Sequence, residues 1–292
     1  MNILITGSDG QLGQEFKFLA GINTQHYFIF KNKEELDITS FLKLDEFFNR
    51  NKIDAIINCA AYTFVDKAEV DKDAAYYVNV IGPQNLAVLS KKYNIKLIHF
   101  STDYVFNGEN HIPYKEDDIP DPKSVYGKTK LQGENEIIKN SEIYAIIRTS
   151  WLYSIYGNNF VKTITKLAVE RGDLKIIFDQ IGTPTYASDL VNTVLYILPI
   201  LNKENSGIYN YSNEGATSWY DFAKIICKLQ NIQCRISPIE TKDYPTLAQR
   251  PNYSVLNKKK IKTEFNMEIP QWQESLEKYM KENKKINYLK SI

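Results

Sequence analysis

Cysteine, histidine and long apolar runs are all scarce in this chain of 292 residues, and each scarcity excludes a class of protein. The three cysteines, Cys59, Cys227 and Cys234, form no CxxC pair, and the three histidines, His26, His99 and His111, are scattered. Neither a disulfide framework nor a metal site is expected from them. The longest apolar stretch, Val191 to Leu201, is too short and too interrupted to span a bilayer, and a first strand starting at Asn2 leaves no room for a signal peptide. The cytoplasm is the expected location. A formal net charge of +1 gives no reason to expect nucleic acid or a membrane as partner, so partners should be small molecules. There is no internal repeat and no low-complexity linker.

What the chain does have is alternation. Asn2 to Thr6, Tyr27 to Phe30, Ala55 to Ile57, Leu97 to Phe100 and Tyr144 to Arg148 read as strands, with helical patterns over Gln11 to Leu19, Phe41 to Phe48 and Ala74 to Leu89. That order predicts an α/β fold, a doubly wound parallel sheet with helices on both faces. Beyond residue 148 the order loosens into strand-like Leu174 to Phe178 and Ile208 to Tyr211 and a helix from Trp219 to Leu229. A nucleotide-binding domain over 1–148 and a smaller C-terminal lobe over 149–292, with some segments returning to the sheet, is the expected organisation.

The first strand runs into "TGSDGQLG", which puts Gly7, Gly10 and Gly13 between a strand and a helix. Glycine permits a tight turn and close backbone approach to a pyrophosphate, and the helix N-terminus favours its charge. The spacing is one residue longer between the first two glycines than the usual dinucleotide fingerprint. At the end of the second strand, Lys31 and Lys33 stand where an acid would hold a ribose hydroxyl, which favours NADPH, with NADH as the alternative. Asp37, a little later, can accept from the adenine amine.

A proton donor is the next requirement of a reductase. Tyrosine and lysine recur at i and i+4 three times, as Tyr27/Lys31, Tyr126/Lys130 and Tyr220/Lys224, so spacing alone distinguishes nothing. Only Tyr126 opens a helix that follows a strand end rich in hydroxyls, "HFSTDYVF". There the Lys130 ammonium is expected to lower the Tyr126 phenol toward neutrality, and Thr102 or Ser101 to hydrogen-bond the same substrate oxygen.

"TGSDGQLG", "LDIT", "NCAAYTFVDKAE", "STDYVFNG", "VYGKTKLQGE", "RTSWLY", "DQIGTPT" and "YPTLAQRPNYSVLN", in this order, resemble the dTDP-4-dehydrorhamnose reductases, which are extended short-chain dehydrogenase/reductases. The resemblance implies a Rossmann domain, NADPH or NADH, and reduction of a 4-keto nucleotide sugar to dTDP-L-rhamnose. By position it implies that Gly10, Gln11 and Leu12 touch the cofactor, with Asp37 and Ile38 at the adenine and Ala61, Tyr62 and Thr63 near the ribose and phosphates. Tyr126 and Lys130 would complete that site while performing catalysis with Thr102. Thr102 and Asp103 would approach the sugar, Trp151 would offer it a flat apolar face, and Arg250 would meet the substrate pyrophosphate. Some members form a homodimer bridged by magnesium through glutamates. Glu15 matches one such position and Ser188 stands at another, which leaves magnesium and the homodimer open. A 4-epimerase shares the Tyr/Lys pair. A 4,6-dehydratase would need an Asp-Glu pair after the threonine, where this chain has Asp103 and Tyr104. A non-catalytic relative that partners methionine adenosyltransferase is a third alternative.

Overall fold

The computed structural model describes residues 1–21 and 25–290, with side chains through 285. The first half runs β1 (Asn2–Thr6), α1 (Gln11–Ala20), β2 (Tyr27–Lys31), α2 (Phe41–Arg50), β3 (Ala55–Asn58), α3 (Val65–Ala68), α4 (Lys72–Tyr76), α5 (Gly82–Lys92), β4 (Lys96–Thr102), α6 (Val125–Asn140) and β5 (Tyr144–Thr149). The second half follows with β6 (Leu152–Tyr153), α7 (Phe160–Arg171), β7 (Asp173–Ile177), β8 (Ile181–Gly182), β9 (Thr185–Tyr186), α8 (Ala187–Ile197) and β10 (Gly207–Asn210). It ends with β11 (Thr217–Ser218), α9 (Trp219–Leu229), β12 (Arg235–Ile239), α10 (Lys259–Phe265) and α11 (Trp272–Lys290).

The main sheet has the order β2-β1-β3-β4-β5-β10, with every neighbouring pair parallel. Both its faces are buried, which is why its strands read as continuous apolar runs. Ile3, Ile5, Ile57, Ile98 and Ile147 point into one core with Leu190, Val191 and Val194 of α8. Leu4, Ile56, Leu97 and Ile146 alternate into a second core against Leu44, Leu86 and Ile137 of α2, α5 and α6. The chain steps outward from β1 to β2 and then returns to β3 on the other side. That reversal opens a crevice beyond the carboxyl ends of β1 and β3, where open α/β sheets bind ligands.

Two segments depart from the sequence reading. The helix expected over Ala74 to Leu89 is interrupted by a π turn at Tyr77–Ile81 between α4 and α5. Pro83 has no N–H to close an α-helical bond onto the Asn79 carbonyl, which instead lies against Gly133 of α6, where an added Cβ would sit 2.1 Å from it. The strand expected at Leu174 to Phe178 forms as β7, but it pairs with β12 away from the main sheet. These two strands belong to a C-terminal core built on Tyr153, Ile164, Leu174, Phe222, Ile226 and Trp272. From the later half, β10 alone rejoins the main sheet, beside β5.

Candidate active site

Each glycine of the first loop has its own task. Gly7 has φ +62°, and a Cβ there would lie 2.5 Å from the Ala60 amide nitrogen; a Cβ at Gly13 would lie 2.5 Å from the Ser8 Cα. Gly10 caps α1, which has no side-chain cap and no acidic residue in its first turn, so its leading N–H groups are open to an anion. A cavity of about 470 Å3 begins here, lined by Gly7, Gly10, Asp37, Ile38, Ala61 and Tyr62 among others. Its walls are fixed from behind. The Asn79 side chain accepts from the Tyr62 N–H at 2.9 Å and donates to the Tyr62 carbonyl at 3.1 Å, while Asn85 Nδ2 donates to the Ile38 carbonyl at 3.0 Å. Asp37 Oδ1 accepts from the Thr39 N–H at 2.9 Å and from its hydroxyl at 2.8 Å, which closes the "LDIT" turn.

Not every expected cofactor contact lies on this wall. Lys33 lines the cavity, whereas the Lys31 ammonium sits 3.8 Å from Glu35 at helical spacing. The Leu12 side chain packs into the core under α1, which leaves only its backbone facing the loop. Gln11 Oε1 accepts from Asn159 Nδ2 at 3.1 Å, and Thr63 is not among the lining residues.

At the end of β4 the hydroxyls part company. The Ser101 hydroxyl donates to Glu134, whose carboxylate also takes Arg148 Nε at 3.0 Å and Nη2 at 2.7 Å, so Ser101 belongs to a buried ion-pair cluster and not to the crevice. Thr102 donates to Asp103 Oδ1 at 3.0 Å and accepts from the Tyr104 N–H at 3.2 Å. Asp103 is buried, with the Ser254 hydroxyl and the Thr102 hydroxyl beside its carboxylate. Burial pushes its carboxyl up to about 6. Tyr126 stands beside this pair, its ring edge-on to Tyr104 at 5.6 Å, at the start of α6, which Ser124 caps through the Gly127 N–H at 3.1 Å.

Lys130 is engaged from the β4 side. Its Nζ donates to the Phe100 carbonyl at 2.6 Å and lies 3.1 Å from His99 Nε2. Burial pushes the amine down to about 8. The Tyr126 phenol is pushed up to about 12, by burial first and against the opposing pull of the Thr102 hydroxyl. In this arrangement Tyr126 is a neutral phenol, the form that gives a proton.

The C-terminal half closes the other side. Trp151, with φ +46°, stacks on Trp219 at 3.4 Å between ring centroids and 10° between planes, so one of its two faces is already covered. A Cβ at Gly182 would come 2.5 Å from its Cε2. Arg250 is likewise engaged: its guanidinium meets both Asp66 oxygens, at 3.2 and 2.7 Å, and Asp66 also accepts from the Ala248 N–H at 3.0 Å. The segment carrying "AQRPNYS" is thereby tied to α3 on the nucleotide side of the crevice.

Residues 1–285 match the model of the RmlD substrate binding domain family. The chain belongs to that family. It is 41% identical over 284 residues to the dTDP-4-dehydrorhamnose reductase of Aggregatibacter actinomycetemcomitans, covering 94% of this chain and 96% of that protein. It is also similar to the crystal structure of a dTDP-4-dehydrorhamnose reductase from Clostridium acetobutylicum, at 42% identity and a TM-score of 0.92 over 96% of this chain and 99% of that one. The Bacillus anthracis dTDP-4-dehydrorhamnose reductase, solved in complex with NADP, is 38% identical with a TM-score of 0.90, again over 96% and 99% of the two chains.

In this member of the RmlD substrate binding domain family, Glu15 lies on the buried face of α1 and accepts from the Ser154 hydroxyl at 2.7 Å. Burial, with Glu282 nearby, pushes its carboxyl up to about 7. Ser188 is buried on α8, and no group of three or more His, Cys, Asp or Glu side chains is arranged for a metal ion among the described residues. Nor is any described helix long and apolar enough to cross a membrane. Sequence reasoning missed Asn79, Asp66 and His99. Asp66 lay inside the quoted "VDKAE", and His99 stands three residues before Thr102, but it was set aside as one of the scattered histidines.

Proposed function

We propose that this chain reduces the C4 keto group of dTDP-4-dehydro-L-rhamnose with NADPH to give dTDP-L-rhamnose. Full-length identity to named reductases supports the reaction, and a neutral Tyr126 phenol beside Thr102 and Asp103 is the observation that carries the chemistry. Residues 1–148 hold the cofactor and 149–292 mainly the sugar nucleotide. The crevice suits a dinucleotide: Gly7 and Gly13 have no room for a Cβ, and the first turn of α1 carries no acid, Asp9 just before it being paired with Lys17 at 3.0 Å. NADPH, when bound, supplies the hydride.

The chain's own part is binding, orientation and one proton. The α1 N-terminus attracts a pyrophosphate, Asp37 and Ile38 border the adenine, and Ala61 and Tyr62 flank the ribose, with Lys33 meeting a 2′-phosphate. Tyr126 gives its hydroxyl proton to the C4 oxygen as charge develops there, and Thr102 holds that oxygen in place. Asp103, whose carboxylate is held by Thr102 and neighboured by Ser254, accepts from a sugar hydroxyl. The free face of Trp151 packs on the deoxysugar, and Arg250 turns from Asp66 toward the substrate pyrophosphate. Asp103 followed by Tyr104 lacks the second carboxylate that loss of the C6 hydroxyl requires. The protein works in the cytoplasm.

The test couples dTDP-glucose, its 4,6-dehydratase and a 3,5-epimerase to this protein and follows NADPH absorbance. Hydride reaches one face of C4, and a ring misplaced by about 1 Å loses ~10²-fold in rate. NADPH consumption should therefore start only when the epimerase is added. Equal rates without it would move a reductase of the unepimerised sugar to first place, and tightly retained NAD would favour the epimerase.

A further inference from the structure

The stretch "DQIGTPT" lies where the proposed sugar wall meets the segment that carries Arg250. Asp179 to Thr185 run from the end of β7 through β8 to β9. The Thr183 carbonyl accepts from the Ser150 hydroxyl at 2.8 Å, and the Thr185 N–H donates to the Trp151 carbonyl at 3.2 Å, which together hold Trp151 in its left-handed conformation, φ +46°. The Ile181 N–H donates to the Asn252 carbonyl at 2.7 Å, and the Ile181 carbonyl accepts from the Ser254 N–H at 2.8 Å. Asp179 takes the start of that same segment: its carboxylate accepts from the Thr241 N–H at 2.9 and 3.0 Å and from the Thr241 hydroxyl at 2.7 Å. Beyond Thr241, residues 242–247 are exposed.

Gln180 joins the two sides. It is 2% exposed, its Oε1 accepts from Trp219 Nε1 at 3.2 Å, and its Nε2 donates to the Thr241 hydroxyl at 3.1 Å. The amide is oriented from both ends. An indole N–H can only donate, so Oε1 must face Trp219, and a carboxylate can only accept, so the Thr241 hydroxyl gives its proton to Asp179 and turns a lone pair to Nε2. Trp219 in turn confines Trp151. The two rings stack at 3.4 Å and 10°, Phe160 stands 4.5 Å behind Trp219, and a Cβ at Gly182 would lie 2.5 Å from the Trp151 indole. Trp151 can tilt only if Trp219 slides, and Trp219 can slide only by breaking with Gln180, which leaves a buried amide oxygen unpaired.

We propose that Gln180 is a positioning residue: it locks the Trp219–Trp151 stack to Thr241 at the root of the segment carrying Arg250, so that the sugar wall and the pyrophosphate clamp are seated as one unit. This rests on the reading above, in which Trp151 and Arg250 meet the substrate, for its purpose but not for its geometry. A side chain that only filled this space could be leucine or methionine. Two directed bonds from one buried amide, to partners 39 and 61 residues further along the chain, are what filling does not require.

The experiment is circular dichroism of the full chain, which has three tryptophans, two of them stacked closely enough to give an exciton couplet. Trp219→Phe removes the couplet and so identifies it. Gln180→Leu should weaken it, and so should Thr241→Val, whose lost hydroxyl bonds to neither indole. In the Gln180→Leu background Thr241→Val should add nothing, because its effect travels through the amide. In turnover, Gln180→Leu should lower kcat for the 4-keto sugar by at least about tenfold with the KM for NADPH unchanged, since a misplacement of about 1 Å costs ~10²-fold. A full couplet in Gln180→Leu, an equal effect of Thr241→Val with and without Gln180, or an unchanged kcat in Gln180→Leu would overturn the proposal. Should Gln180→Leu not fold, Thr241→Val at its half-buried site still decides: joint loss of couplet and kcat supports the lock, and an unchanged couplet overturns it. If the couplet results hold while the wild type reduces no sugar nucleotide, the functional reading fails and the Gln180 assignment stands.

Discussion

Replacing Tyr126 by phenylalanine tests the proton donor with little disturbance elsewhere. The ring keeps its edge-on contact with Tyr104, 5.6 Å between centroids and 74° between planes, and loses only a hydroxyl that lies against Thr102. One hydrogen bond of this kind is worth about 1 kcal/mol, so the midpoint of denaturant unfolding should hardly move. Catalysis should suffer far more. A positioned acid contributes ~10²–10⁴-fold, equivalent to ~3–5 kcal/mol of barrier, and the neighbouring phenol is that of Tyr104. The assay is turnover of dTDP-4-dehydro-L-rhamnose at saturating NADPH, with NADPH affinity measured separately by fluorescence. Turnover of Tyr126→Phe should fall by at least ~10²-fold with the affinity unchanged. Tyr104→Phe is the control, because its ring is the neighbour and its phenol is also raised by burial. Near-normal turnover in Tyr126→Phe, or a loss confined to Tyr104→Phe, would refute the assignment.

Three further outcomes are expected. Lys33→Ala should raise the KM for NADPH by about fivefold, the worth of one exposed ion pair, and leave that for NADH unchanged, while Lys31→Ala changes neither; equal effects of the two substitutions would remove Lys33 from the cofactor site. Arg148→Met strands the buried Glu134 carboxylate and should cost ~3–5 kcal/mol in denaturant unfolding, much of it recovered by adding Glu134→Gln. Glu15 has a folded pKa raised from 4.5 to about 7, so it favours the folded state below pH 4.5 and that contribution is lost as pH rises through 7. Glu15→Gln should therefore gain thermal stability relative to wild type between pH 5 and 8, by an amount of order 3 kcal/mol at the top of that range, whereas Asp103, raised to about 6, titrates in both proteins; a constant difference across pH would contradict the burial of this carboxyl.

The parts of the molecule that repeat along the chain could be read from it. Ile3 to Ile5 and Ala55 to Ile57 are apolar at every position, and Leu97 to Phe100 at all but His99, because both sheet faces are covered, and that pattern survives without any knowledge of what lies opposite. The glycine loop was legible because Gly7 and Gly13 answer to close contacts within the first strand-turn-helix unit and its immediate neighbour. Tyr126 was separable from Tyr27 and Tyr220 by its place after a strand end. Tyr220 carries Lys224 over its own ring at 5.4 Å on α9, far along the chain from the hydroxyls of β4.

What could not be read depends on register. Thr6, Asn58 and His99 are 52 and 41 residues apart in turn, and nothing in any of the three segments says that they share a row. Their meeting is set by the hydrogen-bond register of three parallel strands, which spacing along one chain does not encode. The same holds for Lys130. Its helical spacing from Tyr126 does not show that the nitrogen ends against a carbonyl and an imidazole nitrogen from β4 in a dry interior, which lowers the amine to about 8. Asn79 was hidden for a related reason: Pro83 opens the helix four residues later, and only the fold shows that the opening lets Asn79 grip the backbone of Tyr62 at the cavity wall. The cavity wall and the seat of Lys130 thus depend on two buried amides and one imidazole, residue types that sequence reading assigns to capping, turns or filler. The backbone N–H of Ala60 fixes the first of these amides, since reversing Asn58 would set that donor against another donor.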